Sequence, residues 1–447
     1  MNAFPLVSHA SLDQALAWHG GKVVTVGEFL ADVASLARLL PAGRHILNVC
    51  RDRYRFTVGL AAAIVTGKVS LLPPTHTPDM VQQLKAFSAD VFCLHDGEQC
   101  DIALPQLQYP ELTDSHSGPI EIPQVDGNQR VAVLFTSGST GTPLPHPKTW
   151  GLLVRNVRAQ AMRLGLESDA SHVIVGTVPP QHMYGFESTV LLPLQSGNAL
   201  SSAQPFYPAD ICGELEAVPA PRVLVSTPLH LRLLLDAGLA LPRVEVVLSA
   251  TAPLSTSLAQ QVEAGFGAPL LEIYGSTETG QVATRRTTQT PEWQLFPDVR
   301  LIQRGEQTWA EGGHVERPVA VNDKIEPTTD GRFLLHGRLQ DLINIAGKRS
   351  SLASLNHHLT AIDGVVDGAF YMPDETSPDY VTRLSACVVA PGLNAQAIMA
   401  ALRQRIDPVF LPRPLLFVDA LPRNSTGKLP REALKRLIES RPNRTAA

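Results

Sequence analysis

The stretch "LFTSGSTGTPLPHPKTW", residues 134–150, decides how the rest of the chain is read. Val131, Val133, Leu134 and Phe135 form a short β-rich run, which breaks into six small or hydroxylated residues: Thr136, Ser137, Gly138, Ser139, Thr140 and Gly141. A strand opening into such a loop gathers consecutive backbone N–H groups and four hydroxyls at one place. Its glycines keep side chains out of the approach to an anion. Polyphosphate is the natural occupant. A Walker-type loop is excluded, because that motif needs glycine directly before its lysine. Here Pro147 precedes Lys148, and Pro143, Pro145 and Pro147 keep a helix from starting at once.

Working outward, strand-like runs ("HILNVC", "VSLLPP", "HVIVGTVPP", "RVLVSTP", "VEVVLSA") alternate with segments of helical periodicity. That rhythm predicts an α/β fold with largely parallel sheets, whose ligands sit at the carboxyl ends of strands. Residues 297–335 read as short antiparallel strands, and the rest as a smaller α+β unit. The chain therefore divides into a large N-terminal domain of layered sheets and helices, with a small β subdomain, over 1–337. A smaller C-terminal α+β domain covers 338–447. A length of 447 residues supports two or three domains.

Composition is that of an ordinary globular protein, 44% hydrophobic and 18% charged. A net charge of −5 leaves no footprint for nucleic acid or an anionic membrane. The longest apolar run, "FTVGLAAAIVTG", is far short of the roughly 20 residues a membrane span needs and reads as a buried helix. The five cysteines lack metal-type spacing, and no signal peptide is evident, so a cytoplasmic protein with reduced thiols is expected.

Two further segments carry chemistry. "LEIYGSTETG" (271–280) is a strand running into a second Gly/Ser/Thr loop, now with Glu278. A carboxylate beside a phosphate loop calls for a cation between them, and magnesium typically uses one or two carboxylates plus substrate phosphates. "LPRNSTGKLPREAL" (421–434) sets Lys428 after a glycine in a polar loop, where its ammonium can swing onto an anion.

In this order the motifs resemble those of the adenylate-forming superfamily of acyl- and aryl-CoA synthetases and peptide-synthetase adenylation domains. "FTSGSTG", "SATAPL" (249–254), "YGSTETG", "NDKIEPTTDGRFLLHGRLQDLINIAGKR" and "LPRNSTGKLPR" span about 300 residues of the likeness. The resemblance implies ATP and Mg²⁺ as cofactors, a carboxylic acid as substrate, and CoA or the phosphopantetheine of an acyl carrier protein as acceptor. It implies that Thr136 to Gly141 wrap the outer phosphates, and that Tyr274 stacks on adenine beside Ala250 and Thr251. Thr277 would touch the α-phosphate, Glu278 would bind the metal, and Asp323 and Arg338 would hold the ribose. Lys428 would bridge the acid and the α-phosphate. His182, Tyr184, Gly185, Phe186 and Gly275 would line the acid pocket, whose aromatic walls suit an aryl or unsaturated acid.

Three departures stand out. Leu144 occupies the place after Pro143 where the family has lysine, so Lys148 is read as a displaced and secondary residue. Gln340 stands at the hinge in place of a charged residue. The segment between Gly280 and Asp323 is short, which implies a trimmed β subdomain. "PHPKTWG" and "QHMYGFE" also resemble segments of bacterial aryl-polyene pathway ligases, which implies a hydroxyaryl acid and a carrier-protein acceptor. The alternative is a non-catalytic nucleotide- or acid-binding member of the same fold.

Overall fold

The computed structural model describes residues 3–112, 120–136, 144–167, 171–305, 307–338, 342–345, 348–373, 384–424 and 427–440. Ser137, Gly138, Ser139, Thr140, Gly141 and Gln340 lie outside the described residues.

Two large sheets build the first part of the chain. One has six strands in the order Leu144–Thr149, Arg130–Thr136, Val69–Leu72, His45–Asn48, Phe92–His95, Gln106–Gln108. All neighbours run parallel except the outermost pair, Leu144–Thr149 on Arg130–Thr136. The position explains the prolines. Pro145 and Pro147 alternate along an edge strand, where their missing N–H groups interrupt no ladder. Instead of a simple turn, the proline run is a strand with period two. His146 and Lys148 fall together on the opposite face from the prolines.

The second sheet has eleven strands with a parallel centre: Val173–Gly176, Arg222–Ser226, Val246–Ser249 and Leu270–Ser276. It continues antiparallel through Gly280–Arg285, Trp293–Leu295, Arg332–Arg338 and Asp323–Pro327. The helix Arg53–Val65 is buried along nearly its whole length within the main core. A helix apolar all round requires such a place. Among the described residues no helix, Arg53–Val65 included, is long and apolar enough to cross a membrane. Its first residue, Arg53, is fully buried and donates to the carbonyls of Ser201, Ala203, Gly176 and Val178. Burial lowers its pKa to about 10, so it stays charged at neutral pH and stitches the helix to two strand ends.

The short-strand region expected over 297–335 contains a three-stranded antiparallel sheet, Arg300–Arg304, Gln307–Gly312 and Val315–Val321. Towards the C-terminus, Asp367–Tyr371, Ser385–Val389 and Leu415–Phe417 form a separate sheet. It is flanked by the helices Leu352–Thr360, Ala395–Arg403 and Arg431–Glu439, with its own apolar clusters. The five cysteines are free thiols.

Candidate active site

The candidate residues gather where strands of both sheets end, as parallel α/β packing favours. Thr136 closes its strand, and its hydroxyl lies 2.8 Å from His146 Nε2. The same nitrogen lies 3.6 Å from Glu278 Oε1. A polar chain Thr136–His146–Glu278 thus links the two loops. Burial lowers the His146 pKa, partly offset by Glu278.

Glu278 stands on a self-bonded turn. The Ser276 N–H donates to Thr279 Oγ1 at 3.1 Å, and the Thr279 N–H donates to Ser276 Oγ at 3.2 Å. Thr279 is buried and Glu278 exposed, so the carboxylate faces outward beside Thr277. Gly275 lies at the bulge of the hairpin between Leu270–Ser276 and Gly280–Arg285. Gly280 has φ +72°, and a methyl group there would collide with Asn156 Nδ2 and sit 3.1 Å from Glu187 Oε1. Glycine is required on both counts. Among the described residues no group of three or more His, Cys, Asp or Glu could hold a metal ion. The single carboxylate Glu278 fits magnesium that takes its remaining oxygens from substrate phosphates.

Ala250 and Thr251 follow the strand Val246–Ser249. Thr251 has φ +79°, a strained conformation for a β-branched residue, and its Oγ1 is buried with no hydrogen-bond partner. Such strain, with an unpartnered hydroxyl beside it, is a feature that clusters at ligand sites. Nearby, the Tyr274 hydroxyl donates to Asp323 Oδ2 at 2.6 Å, and its ring packs on Trp293 and Phe333 with centroids 5.6 Å away. Arg338 ends its strand directly across from Asp323.

Lys428 belongs to the C-terminal part but meets this site. Gly427 approaches Thr251, where a Cβ on it would lie 3.8 Å from Oγ1. The Lys428 charge bears on His182, whose pKa falls to about 4 through burial first, then Lys428 and His76. Lys428 itself is exposed. Its loop is held by Asn424, whose Oδ1 accepts from the Lys428 N–H at 2.9 Å. Arg423 donates to the Gly427 carbonyl at 2.9 Å and makes two 2.7 Å bonds to Asp367.

The acid-pocket expectation is corrected in part. His182 lines a cavity of about 1000 Å³ beside His76, His95, Gln181 and Gln204, a more polar wall than expected. Phe186 is fully buried in the main core and presents no wall. Burial pushes the Tyr184 hydroxyl above its ordinary pKa, partly offset by the Ser226 backbone. Gly185 serves packing, since a methyl there would overlap the Pro179 carbonyl. The winding of Phe186–Leu191 as a π-helix turns these side chains into the core.

Sequence reasoning missed His146 and Glu187 and undervalued Lys148. Lys148 is buried and its ammonium donates to the Glu278 carbonyl at 3.3 Å. Glu187 is fully buried, and burial raises its pKa despite Lys148 and Gln281. The alternation in "LPHPK" could have placed His146 and Lys148 on one strand face; nothing local signalled Glu187.

With this geometry established, the chain belongs to the AMP-binding enzyme family, whose model matches residues 9–322. A 4-coumarate–CoA ligase of Rhodobacter capsulatus is 30% identical over 301 residues, covering 66% of this chain and 74% of the relative. A 2,3-dihydroxybenzoate-AMP ligase of Bacillus subtilis is 24% identical, covering 75% and 69%. Among solved structures, o-succinylbenzoate CoA synthetase from Bacillus subtilis in complex with its acyl-adenylate shares the fold. Its TM-score is 0.80 at 18% identity, over 95% of this chain and 96% of that one. ATP-bound MatB from Rhodopseudomonas palustris also gives 0.80 at 18% identity, over 97% of each chain.

Proposed function

We propose that the chain condenses a carboxylic acid with ATP to an acyl-adenylate and then transfers the acyl group to a thiol. The observation that carries this reading is the meeting of Gly427 and Lys428 with Thr251 and His182 at the strand ends that also bear Thr136, Tyr274 and Glu278. A carboxylate oxygen attacks the α-phosphorus and pyrophosphate leaves. A thiolate then attacks the acyl carbon and AMP leaves.

Both reactants of the first step are anions, so cationic groups must offset their repulsion as charge moves onto pyrophosphate. Lys428 supplies that charge beside the acid and α-phosphate, while neutral His182 adds no competing proton. Thr136 and the loop after it hold the outer phosphates. A magnesium ion held by Glu278 supplies Lewis-acid neutralisation of the phosphate oxygens when bound. Tyr274, Ala250 and Thr251 take the adenine side, with Asp323 and Arg338 on the ribose hydroxyls.

The C-terminal unit from residue 338 acts as a lid that pivots at Gln340, carrying Lys428 in for adenylation and out for transfer. The 4-coumarate and 2,3-dihydroxybenzoate ligases among the relatives support an aryl acid. The acceptor is CoA or the phosphopantetheine of a carrier protein, and the free thiols suit a cytoplasmic setting. The test is acid-dependent ATP–pyrophosphate exchange over benzoates, cinnamates and fatty acids. Exchange with aryl acids is expected; ATP binding without exchange for every acid would leave a non-catalytic binding protein.

A further inference from the structure

Lys148 stands four residues along the edge strand from Leu144, which pairs with Thr136, whereas Lys148 pairs with Ala132. At about 3.3 Å per residue its Cα is roughly 13 Å from the strand end where the phosphates are expected. Its side chain runs inward, and its ammonium meets the backbone carbonyl of Glu278 at 3.3 Å. It therefore reaches the metal-binding turn from behind.

Several buried groups meet at the same place. Lys148 feels the charges of Glu187 and Glu278, and His146 and His314 face it in turn. His314 also meets the backbone of Thr279 and Gln281. Asn156 Nδ2 donates to the Gln281 carbonyl at 3.2 Å. Gln281 and Gln160 both donate to Ser188 Oγ at 2.9 Å, next to Glu187. Gly280 is pressed against Asn156 and Glu187. A buried lysine beside a buried glutamate is costly to assemble from water, and an apolar pair of similar volume is often as stable. Stability alone gives little reason for it, whereas fixing one turn in one place does.

We propose that Lys148 is a buried positioning residue that braces the Ser276–Gly280 turn through the Glu278 carbonyl and so aims the Glu278 carboxylate at the metal beside Thr136. The proposal rests on the functional reading above for the role of Glu278. This lysine does not touch the reacting atoms. Lys148 holds the Glu278 main chain through its carbonyl, and Glu187 lies against Gly280 at the end of the same turn.

The test is calorimetric binding of ATP with Mg²⁺ and with EDTA, in wild type, Lys148→Met, Glu278→Ala and the double variant Lys148→Met/Glu278→Ala. Lys148→Met is expected to weaken Mg·ATP binding about tenfold, as loss of an outer-shell partner does. ATP binding in EDTA should change less than about twofold, and so should Mg·ATP binding when Lys148→Met is added to Glu278→Ala. Equal weakening with and without Mg²⁺ would mean that Lys148 grips phosphate directly and would overturn the proposal. An equal penalty in both backgrounds would reduce it to a fold-stabilising lysine and would also overturn it.

If Lys148→Met does not fold, Lys148→Met/Glu187→Leu removes both buried ionisable groups. This variant should fold and show the same selective loss of Mg·ATP affinity; wild-type affinity in it would overturn the proposal. Selective Mg·ATP loss in a chain that shows no acid-dependent pyrophosphate exchange would sustain the brace and sink the functional reading.

Discussion

Lys148 and Lys428 occupy opposite environments within one site. The first is buried on an edge strand, flanked by two glutamates and bonded to a backbone carbonyl. The second is exposed on a polar loop whose backbone is clamped by Asn424 and the Arg423–Asp367 pair. A desolvated lysine with fixed partners can hold a structure in place but cannot follow a moving charge. An exposed ammonium on a braced loop can be brought to a substrate and withdrawn. The difference teaches that position along the chain is a poor guide to which lysine does chemistry. Lys148 follows the phosphate loop in the chain, yet it is Lys428, some 280 residues later, whose neighbour Gly427 approaches Thr251 and whose charge bears on His182.

Substitutions can break or sharpen this contrast. Lys428→Ala should lower acid-dependent pyrophosphate exchange about a thousandfold, the scale for losing a preorganised charge on a transition state. Lys148→Ala should lower it only about tenfold to a hundredfold, as expected of a residue acting through another. Equal losses would erase the distinction. Asp323→Ala should raise the KM for ATP some tens of times while leaving kcat within about threefold, the pattern of lost uniform binding. A larger effect on kcat would place Asp323 in the chemical step. Tyr274→Phe removes the 2.6 Å bond to Asp323 and should raise the same KM about fivefold, near 1 kcal/mol.

The smallest effect concerns pH. Burial holds His9, His182 and His314 near a pKa of about 4, below the ordinary 6.5. Below 6.5 the unfolded chain takes up protons that the folded chain refuses, so stability is lost as pH falls. The thermal midpoint should drop between pH 6.5 and about 4, and His182→Gln should make that slope shallower. An unchanged slope would show that His182 titrates normally.

Much of the fold was legible because buried parallel strands leave continuous apolar runs and their ends leave Gly/Ser/Thr clusters. The roles of Thr136, Glu278, Asp323 and Lys428 were suggested by motifs that need particular residue types at fixed spacing. What stayed hidden depends on three-dimensional crossing. The prolines concealed a strand, and only its edge position explains them. Glu187 is one glutamate in an apolar segment, and its meaning comes from Lys148 arriving across a sheet. Phe186 was misread as a pocket wall because an aromatic beside a glycine does not announce which way a π-turn will point it. The strain at Thr251 has no sequence signature, since threonine is the last residue one would place at positive φ.

The most direct test of the account separates the two half-reactions in Lys428→Ala. Pyrophosphate exchange should be lost, while transfer of the acyl group from a supplied aryl-adenylate to a thiol should proceed within about tenfold of wild type. Exchange that survives, or transfer that falls as far as exchange, would contradict the assignment of Lys428 to adenylation alone.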